Sequence, residues 1–187
     1  MAKKVLQAAT ALFPVPIVMV TTIEDGRPNI ITLAWVGTVC SNPPMLSISV
    51  RPATYSHGLL TRTREFVVNI PGAGLLKEMD MCGMVSGRDT DKFALTGLTA
   101  MPASQVQAPL IAECPVNIEC RVKEIIHLGL HDLFIGEILA VQVDDAVLDE
   151  KGRVDAAKVA PVAFAGSSYW AVGECLGDMG FSRRSQV

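Results

Sequence analysis

The feature that most constrains this chain is how its apolar runs are cut up. Short, β-branched stretches are each stopped by proline, glycine or Asp-Gly before they reach the length of a good helix. Residues 15–22 are followed by Asp25-Gly26 and Pro28, residues 30–39 by Pro43-Pro44, and the run from Glu65 to Ile70 by Pro71-Gly72. Between them, residues 45–50 set Leu46, Ile48 and Val50 against Ser47 and Ser49. That period of two belongs to a strand with one polar face. Asp25-Gly26 between two apolar runs predicts a hairpin turning around residues 24–27. Residues 116–126 and 133–143 read as two longer strands joined around residues 127–132, and residues 159–164 as a last apolar segment after a polar turn at 149–152.

Helices are fewer. Residues 56–64 suit a short helix with Ser56 as its N-cap, and residues 75–84 carry apolar side chains at helical spacing. Residues 85–109 are rich in Gly, Ser, Thr and Pro and read as loops with one helical turn at 90–94. The fold class is therefore mainly β with short helices, in a single domain spanning 1–187, with its core at about 10–175 and a loose tail at 177–187. Many short strands predict a closed barrel, because closure removes exposed sheet edges.

Composition narrows the function. Half the residues are hydrophobic and the net charge is −3, with no basic block of the kind a nucleic-acid-binding protein shows. No apolar run approaches the roughly 18 residues of a membrane helix. Lys3 and Lys4 are followed by Gln7, Thr10 and Pro14, which does not make a signal peptide, so a cytoplasmic location is expected. Five cysteines without a CxxC pair read as reduced, buried thiols, and no metal site is expected. There is no G-x-G-x-x-G after a strand and no G-x-x-x-x-G-K-[ST], so neither dinucleotide-binding glycine loop nor P-loop is present.

Several short signatures remain: Asn29-x-x-Thr32-x-x-Trp35, Pro43-Pro44, residues 65–71, Ser86-Gly87-x-x-x-Asp91-Lys92-Phe93, His131-Asp132-x-Phe134-x-Gly136-Glu137, and Phe164-Ala165-Gly166-x-x-Tyr169-Trp170. Read singly, each has a plain structural meaning: a turn Asn beside a core Trp, a helix cap, a solvated Lys, a hairpin His, core aromatics. In this order they resemble the flavin reductase-like family, the FMN-binding split barrels, and within it most of all the flavoredoxins. The resemblance implies a split β-barrel, a homodimer, and FMN held near the subunit interface.

It also implies roles for residues. Asn29 and Thr32 would offer hydrogen bonds to the pyrimidine edge of the flavin, and Trp35 a flat surface. Ser49, Arg51 and Ser56, with Tyr55 and Arg62 nearby, would meet the phosphate, which suits hydroxyls, a cation and a helix N-terminus. Ser86 and Lys92 match the loop after the helix, where a lysine stabilises negative charge on the reduced ring. His131 would touch flavin or nicotinamide and serve as the catalytic group if protons move. Its surroundings depart from the family's G-D-H-x-x-F-x-G-E: Leu130 precedes it and Asp132 follows. Phe164 would pack on the flavin, and Tyr169 and Trp170 would close the pocket or interface. The resemblance leaves two redox readings. One is an electron carrier that cycles bound FMN and exchanges electrons with a partner protein. The other is a flavin or ferric reductase that takes hydride from NADH or NADPH. A barrel that binds a ligand without redox chemistry is the reading from a different class.

Overall fold

The computed structural model describes residues 1–184 of the 187-residue chain. The strands and helices in order are β1 (Val15–Pro16), β2 (Val18–Glu24), β3 (Arg27–Leu33), β4 (Val36–Ser41), β5 (Pro44–Val50), α1 (Tyr55–Thr63), β6 (Glu65–Ile70), α2 (Leu76–Met84), α3 (Lys92–Thr96), β7 (Ala100–Met101), β8 (Leu110–Ile111), β9 (Val116–His127), β10 (Asp132–Val143), α4 (Ala156–Val159), β11 (Val162–Ala165), β12 (Ser168–Ala171) and α5 (Phe181–Arg184). Seven strands form one sheet in the order β3-β2-β6-β9-β10-β5-β4, with every neighbouring pair antiparallel. A smaller sheet, β1-β11-β12, lies beside it.

The two faces of β2 explain its unbroken hydrophobicity. Successive side chains point to opposite faces of a strand. Val18 and Val20 enter one core with Leu46, Ile48, Leu60, Phe66 and Phe134. Ile17 and Met19 enter a second, with Ile30, Met79, Cys82, Phe93 and Ile111. The second core is the bed on which α2 and α3 lie, and the site is built along its margin. The β2–β3 hairpin turns through Asp25 (φ 50°) and Gly26 (φ 73°), the two positive dihedrals that a two-residue primed turn requires.

Some expectations change. The expected closed barrel is replaced by a split one: β3 and β4 end the ladder and do not pair with each other. The run 30–39 is two strands, because the chain leaves β2 at Ala34-Trp35 and crosses to pair with β5. Ser49 N donates to Trp35 O at 2.9 Å, which carries the β4–β5 pairing one residue beyond β4. The N-cap of the first helix is Thr54, whose Oγ1 accepts from His57 N. The segment 159–164 is the end of α4 and the start of β11, separated at Ala160 (φ 48°). In the tail, residues 181–184 form the short α5, and residues 185–187 lie outside the described residues. No described helix is long and apolar enough to cross a membrane.

Candidate functional site

Asn29, on β3, is 4% exposed. Its Nδ2 donates to Ser56 Oγ at 2.8 Å, which draws the first turn of α1 against the strand. Its Oδ1 is buried without a partner. Gly87 passes so close that an added Cβ would stand 1.8 Å from that oxygen. Around this point lie two adjoining hollows of about 490 and 320 Å³ that share Tyr55, Gly87, Arg88 and Asp89 in their walls, within the range of about 300–1,000 Å³ common for small-molecule sites. The second hollow is also lined by Thr54, Ser56, Ser86 and Lys92. The N-terminal end of α1 therefore opens on it, bringing the positive end of a helix dipole.

Lys92 is 4% exposed. It starts α3, capped by Asp91 Oδ1 accepting from Ala94 N at 3.1 Å, and its Nζ donates to Cys82 O at 2.6 Å. That carbonyl belongs to the last turn of α2, the negative end of a helix, where a cation is favoured. Burial lowers the lysine's pKa and pushes the neighbouring Cys82 thiol up to about 11. Ser86 is exposed, and its Oγ accepts from Arg88 N at 3.2 Å.

A second group is aromatic. Trp35, in the gap between β3 and β4, keeps 44% of its surface in solvent. Its ring lies 4.7 Å from the His131 ring, tilted by 42°. His131 sits in the turn between β9 and β10, and its carbonyl accepts from Leu128 N at 3.1 Å. Trp35 also shares a hollow with Phe164 and residues 10–13. Phe164 packs on Tyr169 at 5.6 Å, and Tyr169 Oη donates to Asp80 Oδ1 at 2.6 Å, tying β12 to α2.

The fold thus carries a polar crevice at the N-terminus of α1 and an aromatic face at the β3–β4 gap. Residues 10–173 match the family of flavin reductase like domains. The chain belongs to the flavin reductase-like family. Among solved structures, it is similar to a flavoredoxin of Desulfovibrio vulgaris (Miyazaki F), with 41% identity, a TM-score of 0.90, and coverage of 97% of this chain and 98% of that one. It is also similar to a flavoredoxin from Methanosarcina acetivorans, with 31% identity, a TM-score of 0.90 and full coverage of both chains. An uncharacterised protein of Archaeoglobus fulgidus is 33% identical over 155 residues, 83% of this chain and 87% of that protein.

Not every residue singled out in this flavin reductase-like sequence reaches the crevice or the aromatic face. Strand alternation turns Thr32 away from Asn29, and its Oγ1 donates to Met79 O at 2.5 Å, docking α2. Ser49 faces Leu133 across β5–β10 and serves the aromatic end through its backbone bond to Trp35. Arg51 is exposed and lines neither hollow beside Asn29; its carbonyl accepts from Thr54 N and Oγ1, both at 2.9 Å. Arg62 is held by Glu24 at 2.6 and 2.8 Å, which lowers the pKa of that carboxylate. Two features had no sequence signal. Arg88 lines both hollows. Asp132 accepts from His57 Nε2 at 2.7 Å and His127 Nδ1 at 3.0 Å, and these hydrogen bonds, His127's first, hold its carboxyl below the usual range.

Proposed function

We infer that this chain binds FMN and passes electrons as a small flavoredoxin-like carrier. The observation that carries the reading is the buried, unpartnered Oδ1 of Asn29, a residue in the wall of one hollow that adjoins a second holding Ser56, Lys92 and the N-terminus of α1. An unsatisfied buried acceptor costs about 1–3 kcal/mol, a cost relieved when a ligand donor reaches it. Ser56, the α1 amides and Lys92 suit a phosphorylated, hydroxyl-rich tail. Trp35, His131 and Phe164 suit a flat ring. When bound, FMN supplies the electron chemistry, and the protein orients it and sets its electrostatics. The near full-length similarity to two flavoredoxins supports carriage over catalysis.

One observation favours the reductase reading: the exposed face of Trp35 beside His131 leaves room for a nicotinamide as readily as for a protein partner. In that case His131 orients the donor. The test is the absorption spectrum of the purified protein, acid release of its chromophore, and anaerobic mixing with NADH or NADPH. A yellow protein that bleaches only with a reduced protein partner supports the carrier. Rapid bleaching by a nicotinamide supports the reductase, and a colourless protein that refuses FMN defeats both.

The same reading makes the protein a cytoplasmic homodimer. Five unpaired cysteines suit a reducing compartment. Val39 on the edge strand β4, Trp170 and Val172 are apolar and exposed, surface that a second copy would cover. Size-exclusion chromatography with light scattering would reject this if it gave a monomer.

A further inference from the structure

We propose that Asp132 is a positioning residue that locks the aromatic end of the site to the crevice end, so that a grip on one is felt at the other. The proposal rests on the FMN reading above. Asp132 lines neither hollow beside Asn29, yet it adjoins both ends. It follows His131 in sequence, and it accepts from His57, which follows Ser56.

The contacts form a closed circuit. Asp132 pairs with Val50 in the β10–β5 ladder. The next residue, Arg51, holds the N-cap Thr54 through its carbonyl. Thr54 Oγ1 accepts from His57 N at 3.3 Å, and His57 returns to Asp132 at 2.7 Å. The ring of His57 is fixed again by Phe134, edge-on at 5.2 Å. On the other side, Asp132 pairs with His127 across β9–β10 and accepts from its ring, closing the turn that carries His131.

Little else holds that turn. Leu128 and Leu130 project into solvent, and one backbone bond, Leu128 N to His131 O, spans it. The Asp132 side chain is 6% exposed and that of His57 15%, so the link is shielded from competing water. A displacement of the first turn of α1 therefore passes to the start of β10 through one short, charge-assisted bond. Close-packed elements transmit such displacements rather than absorb them.

The test is a coupling measurement on the full chain, following FMN binding by the loss of flavin fluorescence. S56A, H131A and S56A/H131A are each built with Asp132 intact and with D132N. With Asp132 intact, the double variant's loss of affinity falls short of the product of the single losses by about fivefold or more. With D132N, the losses multiply to within about twofold. H57L keeps apolar contact with Phe134 but removes the donor. It uncouples the ends in the same way, and it decides the matter if D132N does not fold. H127A removes the outer, water-exposed bond of the circuit (side chain 79% exposed) and lowers the coupling less than H57L does. Losses that multiply with Asp132 intact overturn the proposal, as does full coupling in D132N or H57L, or coupling lost in H127A but kept in H57L. Absence of FMN binding by the unaltered chain overturns the cofactor reading itself. FMN binding with independent losses overturns only the lock.

Discussion

At the crevice, Asn29 and Lys92 are each 4% exposed and held by short hydrogen bonds to buried neighbours. At the aromatic end, Trp35 leaves 44% of its surface in solvent and meets the His131 ring at a tilt of 42°. The crevice is walled by α1, which packs on the first core, and by α2 and α3, which pack on the second, so a change there must be resisted by helices as well as side chains. The aromatic end is assembled from the β3–β4 gap, the β9–β10 turn, β11 and residues 10–13, segments far apart in sequence with few polar ties. This division suits a cofactor that must be retained at its tail and reached at its ring.

The contrast is broken most forcefully at Gly87. In G87A the new methyl would stand 1.8 Å from Asn29 Oδ1, so the buried Asn29 amide, or the loop that carries residue 87, must move. Overpacking of this kind costs about 1–3 kcal/mol, and about 5–150-fold in FMN affinity if all of it falls on the bound state. Equilibrium dialysis and a thermal melt should both register it. W35A should weaken FMN retention by the lower part of the roughly 1–3 kcal/mol typical of aromatic stacking, with the melting temperature nearly unmoved because the ring is half in water. A W35A melt as depressed as that of G87A would erase the distinction between the two ends.

Lys92 sharpens the comparison electrostatically. Its ammonium lies in the crevice wall, and a cation there favours the reduced, anionic cofactor. K92M should therefore lower the midpoint potential. A loss of about 1–2 kcal/mol corresponds to about 20–40 mV for a two-electron couple. Spectroelectrochemical titration reads the shift directly; an unchanged or raised potential would make Lys92 solely the cap of α2.

What could be read from sequence follows the range of the physics. The β2–β3 hairpin was legible because Asp25-Gly26 is a local signal, β6, β9 and β10 because each is an apolar run bounded by turn residues, and α2 because its apolar residues recur at helical spacing. The break at Ala34-Trp35 was not legible, since it depends on β4 finding β5. Thr54 and Ser56 are both able caps. Asn29, 27 residues upstream, binds Ser56 and leaves Thr54 to cap. Arg62 had the right charge for a phosphate, but the hairpin brings Glu24 to it from 38 residues away. The grouping of Asn29, Ser56 and Lys92 could be expected only through resemblance to a family. Asp132 and His57, 75 residues apart, left no local trace.

The smallest expected effect concerns the tie between the two ends on the α2 side. Tyr169 Oη donates to Asp80, and Y169F removes that bond while keeping the ring against Phe164. The stability loss at neutral pH should be about 0.5–1.5 kcal/mol, with FMN affinity changed by less than about twofold. Burial, then the hydrogen bond and charge of Asp80, push the tyrosine up to about 12, whereas an unfolded tyrosine titrates near 10. A group whose folded pKa is raised lends stability in full below its unfolded pKa and loses it as pH climbs through its folded one. The gap between native and Y169F melting temperatures should therefore be constant to about pH 10 and shrink towards pH 12. A gap that stays constant across that window would place the stabilisation in the packing of the ring, and the two ends would then be joined on this side by contact rather than by the hydroxyl.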